Sequence, residues 1–171
     1  MLRSGQALVE AAVALAAAGS AGPVRLVGVD LVDFFASVPP GLAGPELVVA
    51  SVASWVPDTA FDLVTCVHGL HYVGDKLGLL SRAAGWLAPG GLLVADLDPG
   101  DVRLADGRPA GQRLPGALRA AGFAWDGRRR RVTRRGAGAA VVPWRYLGAD
   151  DRGGPNRTGQ PSVRSYYEVA V

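Results

Sequence analysis

Apolar and polar residues alternate along this chain in blocks that predict helices and strands in turn. Apolar residues at helical spacing predict one helix over Gln6–Ala18 and another over Asp75–Leu87. A short helix around Val32–Ser37 and a turn at Pro89-Gly90-Gly91 are also predicted. Short apolar runs predict buried parallel strands at Val24–Val29, Glu46–Ala50, Phe61–Val67 and Leu92–Ala95. This alternation predicts an α/β fold, an open, mostly parallel sheet with helices on both faces.

The last third of the chain predicts an antiparallel end to that sheet. After a short predicted helix at Leu114–Ala121, three predicted strand segments are separated by glycine-rich turns, with no helix long enough for a parallel crossover. These segments are Phe123–Arg135, Ala139–Tyr146 and Val163–Val169. We therefore expect a single domain over residues 1–171 that ends in antiparallel strands.

Composition narrows the class of protein. Cys66 is the only cysteine, which excludes an internal disulfide and a multi-cysteine zinc site. No apolar run reaches the roughly 18 residues that a membrane span needs, so no membrane partner is expected. The simplest interpretation is a globular protein of the reducing cytoplasm.

A run of arginines, Arg128–Arg131 followed by Arg134 and Arg135, is the strongest local charge in the chain. Clustered arginines can bind a phosphate backbone, but only Trp125 supplies an aromatic side chain nearby. On a strand, alternate arginines would face opposite sides of the sheet. We favour an edge strand protected by charge over a nucleic-acid site, and the formal net charge of +3 is too modest to change that preference.

The order of these elements resembles a class I methyltransferase that uses S-adenosylmethionine. Val24–Asp30 resembles the second strand of that family, which ends in an acidic residue, and Phe61-Asp62-Leu63-Val64 resembles the fourth. Leu87-Ala88-Pro89-Gly90-Gly91 with Leu92–Asp96 resembles the family's turn and fifth strand. The resemblance implies a Rossmann-like fold, S-adenosylmethionine as the cofactor and methyl transfer to a small-molecule acceptor.

The same resemblance implies a set of cofactor-binding residues. Asp30, at the end of a strand of an open sheet, can accept hydrogen bonds from ribose hydroxyls, and its alternative role is a turn or helix cap. Where the family often has an acid beside the adenine, this chain offers the Ser51 side chain or the backbone of Val52. Cys66 and Val67 end the strand at which cofactor and acceptor meet in the family.

Both histidines of the chain follow that strand and are candidate bases. A hydroxyl or a protonated amine must lose a proton when it is methylated, and histidine suits that task near neutral pH. His68 or His71 is therefore the predicted catalytic residue. The alternatives are that His68 packs against cofactor or core and that His71 caps the following helix or faces solvent. Asp96 and Asp98 are predicted either to orient substrate or to cap the next segment, and no metal site is predicted.

The start of the chain departs from the family pattern. A first strand and a glycine-rich loop precede the first helix in the family, whereas here Gly5 alone matches the last glycine of that loop. We therefore expect the first strand and most of the loop to be missing, and weak or no binding of S-adenosylmethionine. The sheet edges exposed in this way would be closed by joining, by rearrangement or by dimerisation of the chain.

Two other functions stay open on the sequence. One is a non-catalytic binding or assembly module that retains the methyltransferase scaffold. The other is a nicotinamide dinucleotide oxidoreductase, which the lack of Gly-x-Gly-x-x-Gly after any predicted strand disfavours.

Overall fold

The computed structural model of the chain describes residues 5–19, 24–151, 154–155, 159 and 161–169. These residues form two compact units, the first ending at Val56 and the second beginning at Pro57. The single domain expected from the sequence stays a prediction. None of the described helices combines the length and the hydropathy needed to cross a membrane.

The first unit contains one helix and one pair of parallel strands. Helix α1 is Gln6–Ala17, and strands β1, Val27–Asp30, and β2, Glu46–Val49, pair along their whole length. Gly28 in β1 lets the helix approach the strands, because a Cβ there would lie 2.7 Å from Cδ1 of Leu8 and 3.1 Å from Cδ2 of Leu47.

The predicted helix around Val32–Ser37 is absent from this unit's described residues. Instead, the Asp30 side chain accepts a hydrogen bond from the Val32 amide at 3.1 Å, and the Phe34 amide bonds to the Val32 carbonyl at 2.9 Å. These bonds hold the backbone in a tight turn, and Pro39 and Pro40 lie just beyond it. The prediction was wrong because the Phe34 amide bonds to the carbonyl two residues before it, which makes a turn and not the four-residue spacing of helical hydrogen bonds.

The second unit contains two helices and seven strands among its described residues. The helices are α2, Lys76–Gly85, and α3, Arg113–Ala120. The strands are β3, Phe61–Cys66; β4, Leu87–Asp96; β5, Val102–Leu104; β6, Ala124–Asp126; β7, Arg131–Arg135; β8, Trp144–Asp150; and β9, Arg164–Val169.

Four of these strands form a mixed sheet in the order β3-β4-β7-β6. Strands β3 and β4 are parallel and joined through α2, as predicted, whereas β7 is antiparallel to both of its neighbours. The α/β class and the antiparallel ending are therefore confirmed. Residues 123–135, predicted as one strand, form a hairpin, because Asp126 caps a turn through the amides of Arg128 and Arg129 at 3.0 Å each.

The Pro-Gly-Gly segment is a bulge inside β4 and not the predicted turn. Phe61 pairs with Leu87 and Leu63 pairs with Leu92, so β4 advances five residues while β3 advances two. Pro89 has no amide hydrogen to give to a ladder, so it fits only where pairing is interrupted. Gly91 lies against the β3 backbone, since a Cβ there would be 2.7 Å from the Phe61 carbonyl oxygen.

The remaining three strands form a second sheet in the order β5-β9-β8. The central strand β9 is parallel to β5 and antiparallel to β8. Its inward side chains include Ser165 and Tyr167, both fully buried. The second unit therefore has polar side chains within its core, and these side chains shape the candidate site.

Candidate functional site

In the first unit, the structure brings two of the predicted cofactor residues to the same edge of the sheet. Strands β1 and β2 are parallel, and the last residue of β1, Asp30, pairs with Val49. The Ala50 amide then donates to the Asp30 carbonyl at 2.9 Å, and Ser51 is the next residue. Carboxyl ends of adjacent parallel strands are where open α/β sheets bind ligands.

Asp30 is a turn cap, and it retains a carboxylate oxygen for a ligand. Its Oδ1 accepts from the Val32 amide, whereas none of the hydrogen bonds between described residues involves Oδ2. The Asp30 side chain can therefore serve both as a turn cap and as a ribose-binding group. The bond to the Val32 amide holds the carboxylate in place, and Oδ2 is left for hydroxyl groups.

Ser51 has a comparable arrangement at the end of β2. Its Oγ accepts from the Ala53 amide at 3.3 Å, and its carbonyl accepts from the Trp55 amide at 2.8 Å. The hydroxyl hydrogen is not used in these bonds and can serve a ligand acceptor. Val52 is half-buried beside it.

Gly5 begins α1 in a conformation that favours glycine. Its φ is 74°, and its carbonyl accepts from the amides of Leu8 at 3.0 Å and Val9 at 3.1 Å. A Cβ there would lie 3.3 Å from Cδ2 of Leu47 and 3.4 Å from Cδ1 of Phe35. The match to the family's last glycine therefore has a local physical reason, and its role toward a cofactor stays a prediction.

In the second unit, the residues at the end of β3 differ in exposure and chemistry. Cys66 is half-buried, and burial raises the pKa of its thiol to about 11, so it is protonated near neutral pH. Val67 and His68 are exposed. Cys66 is therefore unsuited to act as a nucleophile.

The two candidate bases have opposite environments. His68 is exposed at the start of the 3₁₀ turn Gly69–Tyr72, whereas His71 within that turn is only 9% exposed. The Nδ1 atom of His71 lies 3.6 Å from Oδ2 of Asp101, and the His71 carbonyl accepts from the Val163 amide at 2.9 Å. His71 thus neither caps α2 nor faces solvent.

A wholly buried lysine beside this turn was not recognised in the sequence. Lys76 Nζ donates to the carbonyls of Val73 at 2.8 Å and Val163 at 2.6 Å and to the Ser165 hydroxyl at 3.0 Å. Burial lowers the pKa of its ammonium to about 8, while the charge of Asp101 opposes that shift. One signal was available, since Lys76 is the only lysine in an arginine-rich chain.

Tyr167 extends the same polar core. Its hydroxyl donates to Oδ1 of Asp75 at 3.2 Å and accepts from the Leu77 amide at 3.1 Å, and burial raises its pKa. Asp75 also caps α2 through the Gly78 amide at 2.9 Å. Strand β9 is thereby joined to the start of α2 by side chains that are distant in sequence.

The carboxylates of Asp96 and Asp98 form ion pairs with arginines of the run Arg128–Arg131. Arg131 Nε lies 2.9 Å from Oδ1 of Asp96, and Arg130 Nη1 lies 2.7 Å from Oδ2 of Asp98. The edge-strand interpretation of the run was wrong, because β7 lies between β4 and β6, and the run is divided equally between β7 and the turn before it. These arginines stabilise the sheet ends through ion pairs.

No cluster of three or more potential metal ligands occurs in the described part of the chain.

A family model described as a methyltransferase domain matches residues 5–95. Two curated relatives, both named trans-aconitate 2-methyltransferase, come from Acidovorax sp. (strain JS42) and Acidovorax ebreus (strain TPSY). Each is 35% identical over 74 residues, which is 43% of this chain and 29% of the relative. The match therefore spans less than a third of those proteins.

Among solved structures, an S-adenosylmethionine dependent methyltransferase from Mesorhizobium loti is similar at 16% identity and a TM-score of 0.41. The alignment covers 86% of this chain and 81% of that protein. A likeness at this TM-score carries no argument about chemistry.

Proposed function

The chain belongs to the methyltransferase domain family, and from this premise we propose that it transfers a methyl group from S-adenosylmethionine to a small-molecule acceptor. The observation that carries the proposal is the arrangement at the ends of β1 and β2. There Asp30 ends β1, and Ser51 follows the parallel strand β2 two residues after Val49, the register partner of Asp30. Oδ2 of Asp30 and the Ser51 hydroxyl hydrogen are left for a ligand.

The residues present fit the proposed cofactor in chemical type. A carboxylate oxygen accepts hydrogen bonds from ribose hydroxyls, and such charge-assisted bonds contribute about 1.5–3 kcal/mol. The Ser51 hydroxyl can donate to a ring nitrogen of adenine, which replaces the acid that the family often has there. When bound, S-adenosylmethionine supplies a methyl group carried on a sulfonium.

The names of the relatives support a small organic molecule as the acceptor. The proposal keeps Cys66 and Val67, at and just after the end of β3, as cofactor-binding residues, and one of the two histidines as the base. A location in the reducing cytoplasm remains part of the proposal, and nucleic acid is not proposed as a partner.

The cofactor proposal is tested by titrating the full chain with S-adenosylhomocysteine in a calorimeter. We expect Asp30→Ala to weaken binding by roughly tenfold or more, because it removes charge-assisted hydrogen bonds. Asp33→Ala is the matched control, since Asp33 is an exposed aspartate of the same turn and its loss should leave affinity unchanged.

Equal affinity of the wild-type chain and the Asp30→Ala variant, or no binding at millimolar ligand, would contradict the proposed cofactor site. The same titration tests the expectation of weak binding. A wild-type dissociation constant in the low micromolar range would overturn that expectation while supporting the function.

A second candidate function, a non-catalytic assembly module, has one observation in its favour. In the described structure β3 pairs with a strand on one edge only, and Leu63 in β3 is 57% exposed. An open edge with exposed apolar side chains can pair with another chain. Sedimentation of the wild type and of Leu63→Lys distinguishes this function, because association through the edge should be lost in the variant.

A further inference from the structure

Three buried polar side chains from separate segments of the second unit meet beside the loop that follows β3. They are His71 in the 3₁₀ turn, Asp101 in a second 3₁₀ turn after β4, and Ser162 before β9. Their exposed fractions are 9%, 6% and 4%. Burial of three polar groups together is costly unless they satisfy one another.

Asp101 lies between the other two. Its Oδ2 accepts a hydrogen bond from the Ser162 hydroxyl, and the same oxygen is 3.6 Å from Nδ1 of His71. Nδ1 is fully buried and has no hydrogen-bond partner among the described residues. A proton on Nδ1 would point toward a carboxylate, whereas a lone pair there would face that carboxylate unfavourably. The contact therefore favours the tautomer with hydrogen on Nδ1 and the lone pair on Nε2.

The backbone around this group is held by Val163, the residue that precedes β9, and by Lys76. Val163 donates its amide to the His71 carbonyl at 2.9 Å and accepts from Lys76 Nζ at 2.6 Å. Lys76 also bonds the Val73 carbonyl and the Ser165 hydroxyl. The turn that carries His71 is thus fixed before any ligand arrives, and a contact of 3.6 Å can tighten in a complex, as catalytic hydrogen bonds commonly do.

We propose that Asp101, held by Ser162, is the positioning residue that fixes the His71 tautomer, so that Nε2 of His71 removes a proton from the methyl acceptor. This inference rests on the proposed methyl-transfer function. The acceptor atom forms its bond to the methyl carbon as the bond from that carbon to sulfur breaks. The acceptor's proton passes to Nε2, and the imidazolium returns it to water.

The arrangement also selects a class of acceptor. A carboxylic acid is already ionised near neutral pH and needs no base before methylation. A hydroxyl or an ammonium group must lose a proton. A histidine held for proton removal therefore indicates a hydroxyl or amine acceptor, in contrast to the trans-aconitate in the name of the two Acidovorax relatives.

The positioning role is tested without an acceptor by ¹H–¹⁵N correlation spectra of the imidazoles in the full chain, recorded where both are neutral. The chain has two histidines, so His68→Gln assigns both signals. We expect wild-type His71 to be protonated mainly on Nδ1, and we expect this form to become the minor one in Asp101→Ala. The exposed His68 should keep its tautomer in both proteins.

Ser162→Ala is the second variant. It keeps the Asp101 carboxylate, and it tests the positioning role even if Asp101→Ala does not fold. It should reduce the Nδ1-protonated population of His71 without unfolding the chain. Wild-type His71 protonated mainly on Nε2, or a tautomer unaffected by both substitutions, would overturn the positioning role.

The acceptor class is tested with radiolabelled S-adenosylmethionine and three probes: catechol, a primary alkylamine and trans-aconitate. We expect label transfer to catechol or the amine, lost in His71→Gln and kept in Asp62→Asn, an exposed strand residue. Transfer to trans-aconitate alone, transfer that survives His71→Gln, or no transfer despite S-adenosylhomocysteine binding would refute the base. Absence of that binding would instead contradict the proposed function, while the tautomer result would still stand.

Discussion

The two units of this protein differ in how deeply they bury their apolar side chains. In the first, Val9, Ala12 and Pro45 are the buried residues with apolar side chains among those described, whereas the second buries many more, including Leu80, Leu93 and Leu114. Leu31, at 72% exposure, and Val56, at 74%, belong to the first unit. The proposed ribose and adenine contacts thus lie on a thinly packed unit, and the proposed base lies on a densely packed one.

This difference bears on how each part can act. Segments with few buried apolar contacts open at low free-energy cost, whereas dense cores open only near global unfolding. A ligand that binds only the folded form stabilises what it binds. We infer that cofactor binding would order the first unit, while the second unit holds His71 in place beforehand.

The largest expected effect comes from removing a buried leucine of the dense unit. Leu80→Ala should lower the free energy of unfolding by about 2–5 kcal/mol, because it leaves a cavity at a residue that is 1% exposed. Leu31→Ala, its counterpart in the first unit, should change it by less than about 0.5 kcal/mol. Urea unfolding followed by circular dichroism measures both free energies. Equal losses in the two variants would contradict the difference in packing between the two units.

Alanine substitutions at three glycines compare the two units in how far each tolerates an added Cβ, at two positions of close approach and one open position. Gly91→Ala should cost about 1–3 kcal/mol, because its Cβ would meet the Phe61 carbonyl within the β4 bulge. Gly90→Ala should be nearly neutral, since a Cβ there would meet nothing within 4 Å. Gly28→Ala should fall between them, because the atoms in its way are side-chain ends of Leu8 and Leu47. Thermal unfolding measures the loss of stability in each of the three variants. A larger loss for Gly28→Ala than for Gly91→Ala would contradict the inference that the second unit is the more rigid one.

The smallest effect is a pH dependence that belongs to the dense unit. The pKa of Lys76 is about 8 in the folded protein and 10.5 in an unfolded lysine, so between these values the unfolded chain binds more protons. Stability contributed by this site therefore rises with pH, by about 1.5 kcal/mol from pH ~8 to ~9.5. Urea unfolding of wild type and Lys76→Met across that range isolates the effect, and parallel curves for the two proteins would show that Lys76 does not titrate there.

Local sequence patterns predicted most of the helices and strands. Two predictions that failed, a helix and a turn, also failed for reasons that lie within a few residues. The apolar spacing of α1 and α2 and the short apolar run of β2 predicted these elements to within two residues at each end. The predicted helix near Val32–Ser37 failed because the Phe34 amide bonds to the Val32 carbonyl in a tight turn. The predicted turn at Pro89-Gly90-Gly91 failed because a bulge absorbs a proline within a strand.

The candidate site was predictable where its residues follow a strand directly. Asp30, Ser51 and His71 were found because each lies at or just after the end of a predicted parallel strand. The sequence did not predict the roles of Asp101, Ser162 and Lys76, because no spacing along the chain relates these residues to one another.

By itself, the sequence determined the order of strands and helices, the α/β class and the resemblance to methyltransferases, since these depend on side-chain periodicity over short windows. Only the tertiary structure decided which histidine is buried and what lies beside it. Asp101 and Ser162 are 61 positions apart, and Lys76 and Ser165 are 89 apart. Such pairs form because β9 and the residues just before it pack against the start of α2 and the 3₁₀ turn that carries Asp101, a packing that no local pattern encodes.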